Sequence, residues 1–175
     1  GNIEGLHFHT LCEQNSDALV TTFTAFEAKW GDILPKVKWL NMGGGHHITR
    51  EDYDIALLEK LLLAVRDKWN VQVYLEPGEA VALNAGYLAT QVLDIVQNQD
   101  NQIAILDVSA ACHMPDVIEM PYMPPLYGAE DEETVGKHPF YLAGPTCLAG
   151  DVIGRYYFEE PLQIGDRLLF GDMAI

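Results

Sequence analysis

Short apolar runs and amphipathic stretches alternate along the first half of this chain, and then the alternation stops. Residues 3–9 read as a strand. After the polar Glu13-Gln14-Asn15-Ser16 comes a helical stretch with Leu19, Val20, Phe23 and Phe26 on one face, and Ser16 is its expected N-cap. A second strand over 37–42 runs into Gly43-Gly44-Gly45. Thr49 then stands where it can cap a long helix, with Asp52 as a weaker capping-box partner. In that helix Ile55, Leu58, Leu62 and Val65 recur at helical spacing up to Trp69. A third strand over 71–75 ends at Glu76-Pro77-Gly78. Strand, helix, strand, helix, strand is the order of a parallel sheet or barrel.

Beyond about Ala80 no comparable helix follows. Residues 87–96, 103–108, 152–158 and 168–170 read as strands, with polar 97–102 between the first two. Pro115, Pro121, Pro124, Pro125, Pro139, Pro145 and Pro161 disfavour long helices, and the acidic run 130–133 reads as a solvated loop. The expectation is an α/β half, residues 1–80, joined to an antiparallel β half, residues 81–175. Three parallel strands cannot close a barrel, and an open sheet leaves bare edges, so the chain is expected to be a piece of a longer protein.

Composition narrows the function. Ten Lys and Arg stand against 26 Asp and Glu in 175 residues, a formal charge of −16. Such a chain repels nucleic acid and anionic membranes and draws small cations. No apolar run approaches the ~20 residues of a spanning helix, and no signal-peptide pattern opens the sequence. The cysteines, Cys12, Cys112 and Cys147, are odd in number and irregularly spaced. That suggests a reducing, cytoplasmic setting and neither a disulfide scaffold nor a zinc module.

The chemistry-bearing residues gather at strand ends, where β/α barrels build active sites. The three glycines leave backbone N–H groups uncovered beside a helix start, which makes them either an anion cradle or a flexible turn. His9 is a ligand, a base, a stacking platform or a satisfied structural group. The neighbours His46 and His47 point in different directions and lack further ligands at metal spacing, so no metal is expected. Glu76 is either a placed carboxylate or a solvated strand end. Cys147 lies between Gly144-Pro145-Thr146 and Gly150-Asp151, a setting unlike the core strand where a lone cysteine is usually found. Glu119 lies in a proline-framed loop, where a carboxylate is ordinarily just solvated.

Taken in order, five phrases resemble the fold-type III pyridoxal-phosphate decarboxylases, the family of ornithine and diaminopimelate decarboxylases. They are GLHFHTLCEQ (5–14), NMGGGHHIT (41–49), EPGEAV (76–81), DVSAACHMPDVIEMPY (107–122) and AGPTCLAGDVIG (143–154). The likeness is strongest to the carboxynorspermidine/carboxyspermidine decarboxylase branch. It implies the last strands of a (β/α)8 barrel followed by most of an antiparallel β-barrel or sandwich domain, alanine racemase-like. It further implies pyridoxal 5'-phosphate as cofactor, a carboxylated polyamine as substrate, and a homodimer with shared sites. By the same resemblance His9 stacks on the cofactor ring, Gly43, Gly44 and Gly45 hold its phosphate, and Glu76 pairs with the pyridine nitrogen. Cys147 protonates the decarboxylated intermediate in the neighbouring subunit's site, Glu119 contacts a distal substrate amine, and Asp151 is an acidic residue near the dimer interface, making either a structural ion pair or a substrate contact.

Three departures accompany the likeness. Glu79 stands where many relatives carry Arg, which disfavours diaminopimelate with its second carboxylate. Cys12 replaces a phosphate-binding serine, and Leu148 replaces an acidic substrate contact. The family's Schiff-base lysine is expected upstream, since none of Lys29, Lys36, Lys38, Lys60, Lys68 or Lys137 has a matching context. A cofactor-contacting tyrosine is expected beyond Ile175. The segment alone is therefore expected to be inactive. The alternatives are a decarboxylase of diaminopimelate or another basic amino acid, and a non-catalytic regulatory homologue.

Overall fold

A computed structural model describes residues 3–174, which divide into two compact units between Leu83 and Asn84. In the first unit the strands are β1 (Gly5–His7), β2 (Trp39–Asn41) and β3 (Gln72–Tyr74), and the helices are α1 (Ser16–Trp30), α2 (Ile55–Trp69) and the short α3 (Gly78–Ala82). The strands form a parallel sheet in the order β1-β2-β3, with His7, Asn41 and Tyr74 in one register row. Beyond that row the ladder continues through Phe8 N–H to Asn41 O, Met42 N–H to Tyr74 O and Glu76 N–H to Gly43 O. The segments that follow all three strands are thereby tied together at the C-terminal end of the sheet.

The helices form where the apolar period foretells, but their caps differ. Asn15, not Ser16, caps α1, its side-chain oxygen accepting the Ser16 amide at 2.7 Å. Asp54 caps α2, accepting from Leu57 N–H at 2.9 Å. Thr49 instead donates its hydroxyl to Ala80 O at 2.6 Å, fastening α3 to the segment after the glycines. Asn15 also accepts from Asp54 N–H, so one side chain serves the start of both long helices. Leu19 and Phe23 of α1, Leu58 and Val65 of α2, and Leu40 and Met42 build the core of this unit.

The second unit is one six-stranded sheet, not a purely antiparallel one. Its strands are β4 (Leu88–Asn98), β5 (Asn101–Leu106), β6 (Ala129–Glu130), β7 (His138–Ala143), β8 (Val152–Phe158) and β9 (Arg167–Phe170), in the order β6-β8-β7-β5-β4-β9. β5 and β7 run parallel, and all other pairs are antiparallel. The chain between β5 and β7 is the long connection that a parallel pair needs. It carries two single-turn helices, α4 (Ala110–His113) and α5 (Asp116–Glu119). The polar residues 97–102 belong almost wholly to a β4–β5 hairpin that turns at Gln99 and Asp100, with Gln99 at φ 53°.

Pro139 lies inside β7, opposite Tyr157, two residues before β7 begins to pair with β5 at Tyr141. Its missing N–H falls where that side of the strand is still an edge. Tyr127 N–H donates to Leu169 O and Leu126 bridges Phe170, while Ala129 pairs with Phe158. One stretch thus meets both edges and curls the sheet on itself. Val92, Leu106, Phe140, Leu142, Ile153, Tyr156, Leu168 and Phe170 fill the interior, and the Tyr156 hydroxyl donates to Pro124 O at 2.7 Å.

Candidate active site

At the C-terminal ends of the parallel strands the carboxylate of Glu76 is the common partner. Asn41 Nδ2 donates to its Oε1 at 2.7 Å, while Oε2 stands 3.3 Å from His7 Nε2 and 3.9 Å from His9 Nδ1. The hydrogen bond from Asn41, helped by the two imidazoles, holds the Glu76 carboxyl below the usual glutamate range despite some desolvation. The group is therefore ionised at neutral pH, and its side chain is half-exposed.

The glycine run is tightly packed, not loose. A Cβ on Gly43 would lie 2.4 Å from Phe8 O, one on Gly44 2.3 Å from Glu76 O, and one on Gly45 2.1 Å from Leu11 O. Gly43 and Gly45 also take φ of +73° and +82°, which favours glycine. The run is thus wedged between the segments that carry His9, Cys12 and Glu76. Gly43 N–H donates to Asn41 Oδ1 at 2.9 Å and Gly44 N–H reaches His9 Nδ1 at 3.4 Å.

His46 and His47 are buried beside this run. Burial lowers the His46 pKa, and the ring fits a neutral form with Nε2–H donating to Gly43 O at 3.2 Å. His47 Nε2 lies 2.9 Å from Glu79 Oε2, close enough for an ion pair but out of line for a hydrogen bond. Glu79 is thus matched within its own unit.

The other expected site residues lie in the second unit. Cys147 is an exposed thiol in the exposed loop 145–150, outside any disulfide. Asp151 is only 3% exposed. Its Oδ1 accepts from Ser109 Oγ, Ala110 N–H and Ala111 N–H at 3.1, 2.8 and 3.4 Å, and its Oδ2 from Thr146 Oγ1 at 2.6 Å. Burial works against its ionisation, but these donors prevail and hold the carboxyl below the ordinary aspartate range. A Cβ on Gly144 would sit 2.2 Å from Asp151 Oδ2, so the glycine makes room for this carboxylate. Both oxygens are committed inside the chain, so the geometry is that of a clamp on the Cys147 loop and not of an open substrate contact. Glu119 ends α5 with its carboxylate in solvent and no ion pair among the described residues.

Sequence reasoning missed Asn41 and the Asp151 donors, and it gave His7 no role apart from its place in the first strand-end cluster. An Asn before glycines reads as turn punctuation, and donors some 40 residues from their acceptor leave no local pattern. Among the described residues, no helix is long and apolar enough to cross a membrane, and no group of three or more His, Cys, Asp or Glu is placed to hold a metal ion.

Comparison with known proteins places the chain in a family. The family model described as "Pyridoxal-dependent decarboxylase, C-terminal sheet domain" matches residues 16–174. Carboxynorspermidine/carboxyspermidine decarboxylase of Campylobacter jejuni is 47% identical over 97% of this chain and 47% of that protein. Carboxyaminopropylagmatine decarboxylase of Synechocystis is 41% identical over 98% of the chain and 44% of that protein. The crystal structure of the Campylobacter jejuni carboxynorspermidine decarboxylase complexed with norspermidine superposes with a TM-score of 0.86 at 46% identity, covering 98% of this chain and 49% of that one. The chain spans about half the length of the curated relatives it matches. With residues 16–174 matched by one family model and 97% of the chain matched by a 47% identical relative, the chain belongs to the pyridoxal-dependent decarboxylases.

Proposed function

We propose that the protein containing this chain is a pyridoxal-phosphate enzyme that decarboxylates carboxynorspermidine or carboxyspermidine, giving norspermidine or spermidine in polyamine biosynthesis. The observation that carries this reading is Glu76, an ionised carboxylate fixed at a strand end beside a tightly packed glycine run. In this reading the three parallel strands are the last of a (β/α)8 barrel that binds the cofactor, and the second unit is the β domain that follows it.

The residues present fit the cofactor. A carboxylate that stays ionised suits a protonated ring nitrogen, and the close approach at Gly44 leaves no room there for a side chain. When bound, pyridoxal phosphate supplies an electron sink for the pair left at Cα as the carbon–carboxylate bond breaks. Glu76 keeps the proton on the ring nitrogen. The glycine run Gly43, Gly44 and Gly45 would border the phosphate, with the Gly43 N–H already given to Asn41 Oδ1, and His9 would pack against the ring. Cys147 gives a proton from Sγ to the carbon that lost carbon dioxide, and it does so in the site of a second subunit. Glu119 neutralises a distal ammonium. Asp151 has both oxygens occupied, so it holds the Cys147 loop in place. The enzyme in this reading is a cytoplasmic homodimer.

A second substrate is favoured by one observation, the 41% identity to the carboxyaminopropylagmatine enzyme. That substrate ends in a guanidinium, which a chain of formal charge −16 also suits. Purified full-length protein loaded with pyridoxal phosphate distinguishes them. Carbon dioxide release is expected from carboxynorspermidine and carboxyspermidine, and markedly less from carboxyaminopropylagmatine and diaminopimelate. Preference for either of the latter two overturns the substrate assignment.

A further inference from the structure

We propose that Asn41 is a positioning residue whose single side-chain amide fixes the Glu76 carboxylate and the glycine run relative to each other. This inference rests on the cofactor reading above. Asn41 stands on the middle strand, in one register row with His7 and Tyr74. Gly43 N–H can only donate, so the atom facing it at 2.9 Å is the amide oxygen. The amide nitrogen is then turned to Glu76 Oε1 at 2.7 Å and can only donate. One planar group therefore answers both partners. It leaves Glu76 Oε2 on the side of His7 and His9.

Carboxamide is the chemistry that satisfies both ends. An Asp at this position would keep the acceptor for Gly43 but set a second carboxylate against Glu76. A like charge at that distance disfavours the ionised form. An Ala would release both partners. The other titratable groups facing Glu76 are His7 at 3.3 Å and His9 at 3.9 Å, and both remain in each variant.

The test compares Asn41→Asp and Asn41→Ala with wild type in the full-length protein, reading two quantities. The first is the dissociation constant of pyridoxal phosphate, followed by its absorbance. The second is the pH profile of kcat/KM on carboxynorspermidine. In Asn41→Asp the acid limb is expected to move upward by about one pH unit, because protonation of Glu76 becomes easier. In Asn41→Ala the cofactor is expected to bind about tenfold more weakly, with both contacts released. Should Asn41→Ala fail to fold, the isosteric Asn41→Asp still decides the matter. An unmoved acid limb with wild-type cofactor affinity overturns the role of Asn41, as does a lowered melting temperature with no change in either quantity. Glu76→Gln in the same assays separates the two ideas. If Glu76→Gln abolishes turnover while Asn41→Asp changes nothing, the cofactor reading stands and this inference falls; if Glu76→Gln is fully active, the cofactor reading falls first.

Discussion

Asp151 accepts the Thr146 hydroxyl at 2.6 Å from beneath the loop that carries Cys147, so a buried carboxylate sets the shape of an exposed segment. The same carboxylate gathers Ser109 and the amides of Ala110 and Ala111, joining that loop to the start of α4. Asp151→Ala leaves these donors without an acceptor and is expected to cost about 3 kcal/mol in stability. The folded pKa of Asp151 lies below its unfolded value. Its stabilisation is therefore complete above the unfolded pKa of about 3.9 and is lost as pH falls through the folded value. Thermal melting from pH 7 down to pH 2 should show a loss of stability below about pH 4 that is smaller in Asp151→Asn, the rest belonging to carboxyls such as Asp107 that are also held below their ordinary range. Identical pH dependence in the two proteins argues against the clamp.

The glycine run should be intolerant of any side chain. Gly43→Ala meets the Phe8 carbonyl at 2.4 Å with φ at +73°, and is expected to lose about 2–3 kcal/mol by urea unfolding. Gly78 offers the control, since a Cβ there meets nothing within 4 Å. Gly78→Ala should leave stability within about 0.5–1 kcal/mol of wild type. Equal effects at the two positions would show the run to be an ordinary turn.

These packing relations mark the limit of what was legible in the amino-acid order. The periods of α1 and α2 were plain because Leu19, Phe23, Leu58 and Val65 are core residues at helical spacing. The cap at Thr49 was misread because five residues separate it from the first residue of α2, and its hydroxyl answers a carbonyl on α3. β7 went unseen because Pro139 argues against a strand, and only the missing neighbour on one side of the ladder makes it tolerable. The parallel pairing of β5 with β7 is a long-range choice that neither strand encodes locally. In the site, His9, the glycines and Glu76 stood out by residue type at strand ends. Asn41, which bridges two of them, did not.

Glu119 is the exposed carboxylate to test for substrate choice. Glu119→Gln is expected to raise KM for carboxynorspermidine about tenfold, with cofactor binding unchanged. Unaltered KM across the carboxylated triamines would make Glu119 a solvated loop residue.

Shared sites predict complementation. Full-length Cys147→Ala and a variant lacking the Schiff-base lysine should each be inactive. A mixed dimer pairs one doubly damaged site with one intact site, so after subunit exchange activity should return to about a quarter of wild type. Demonstrated exchange without recovery would place Cys147 in the site of its own chain or remove it from catalysis.

The most direct test of the whole account is the turnover of Glu76→Gln on carboxynorspermidine in full-length protein that retains its pyridoxal phosphate. A neutral amide cannot hold the proton on the ring nitrogen as a carboxylate does, so kcat should fall by about 100-fold or more while the cofactor remains bound. Undiminished release of carbon dioxide by that holoenzyme would contradict the account, because the Glu76 carboxylate beside the glycine run would then have no part in the chemistry.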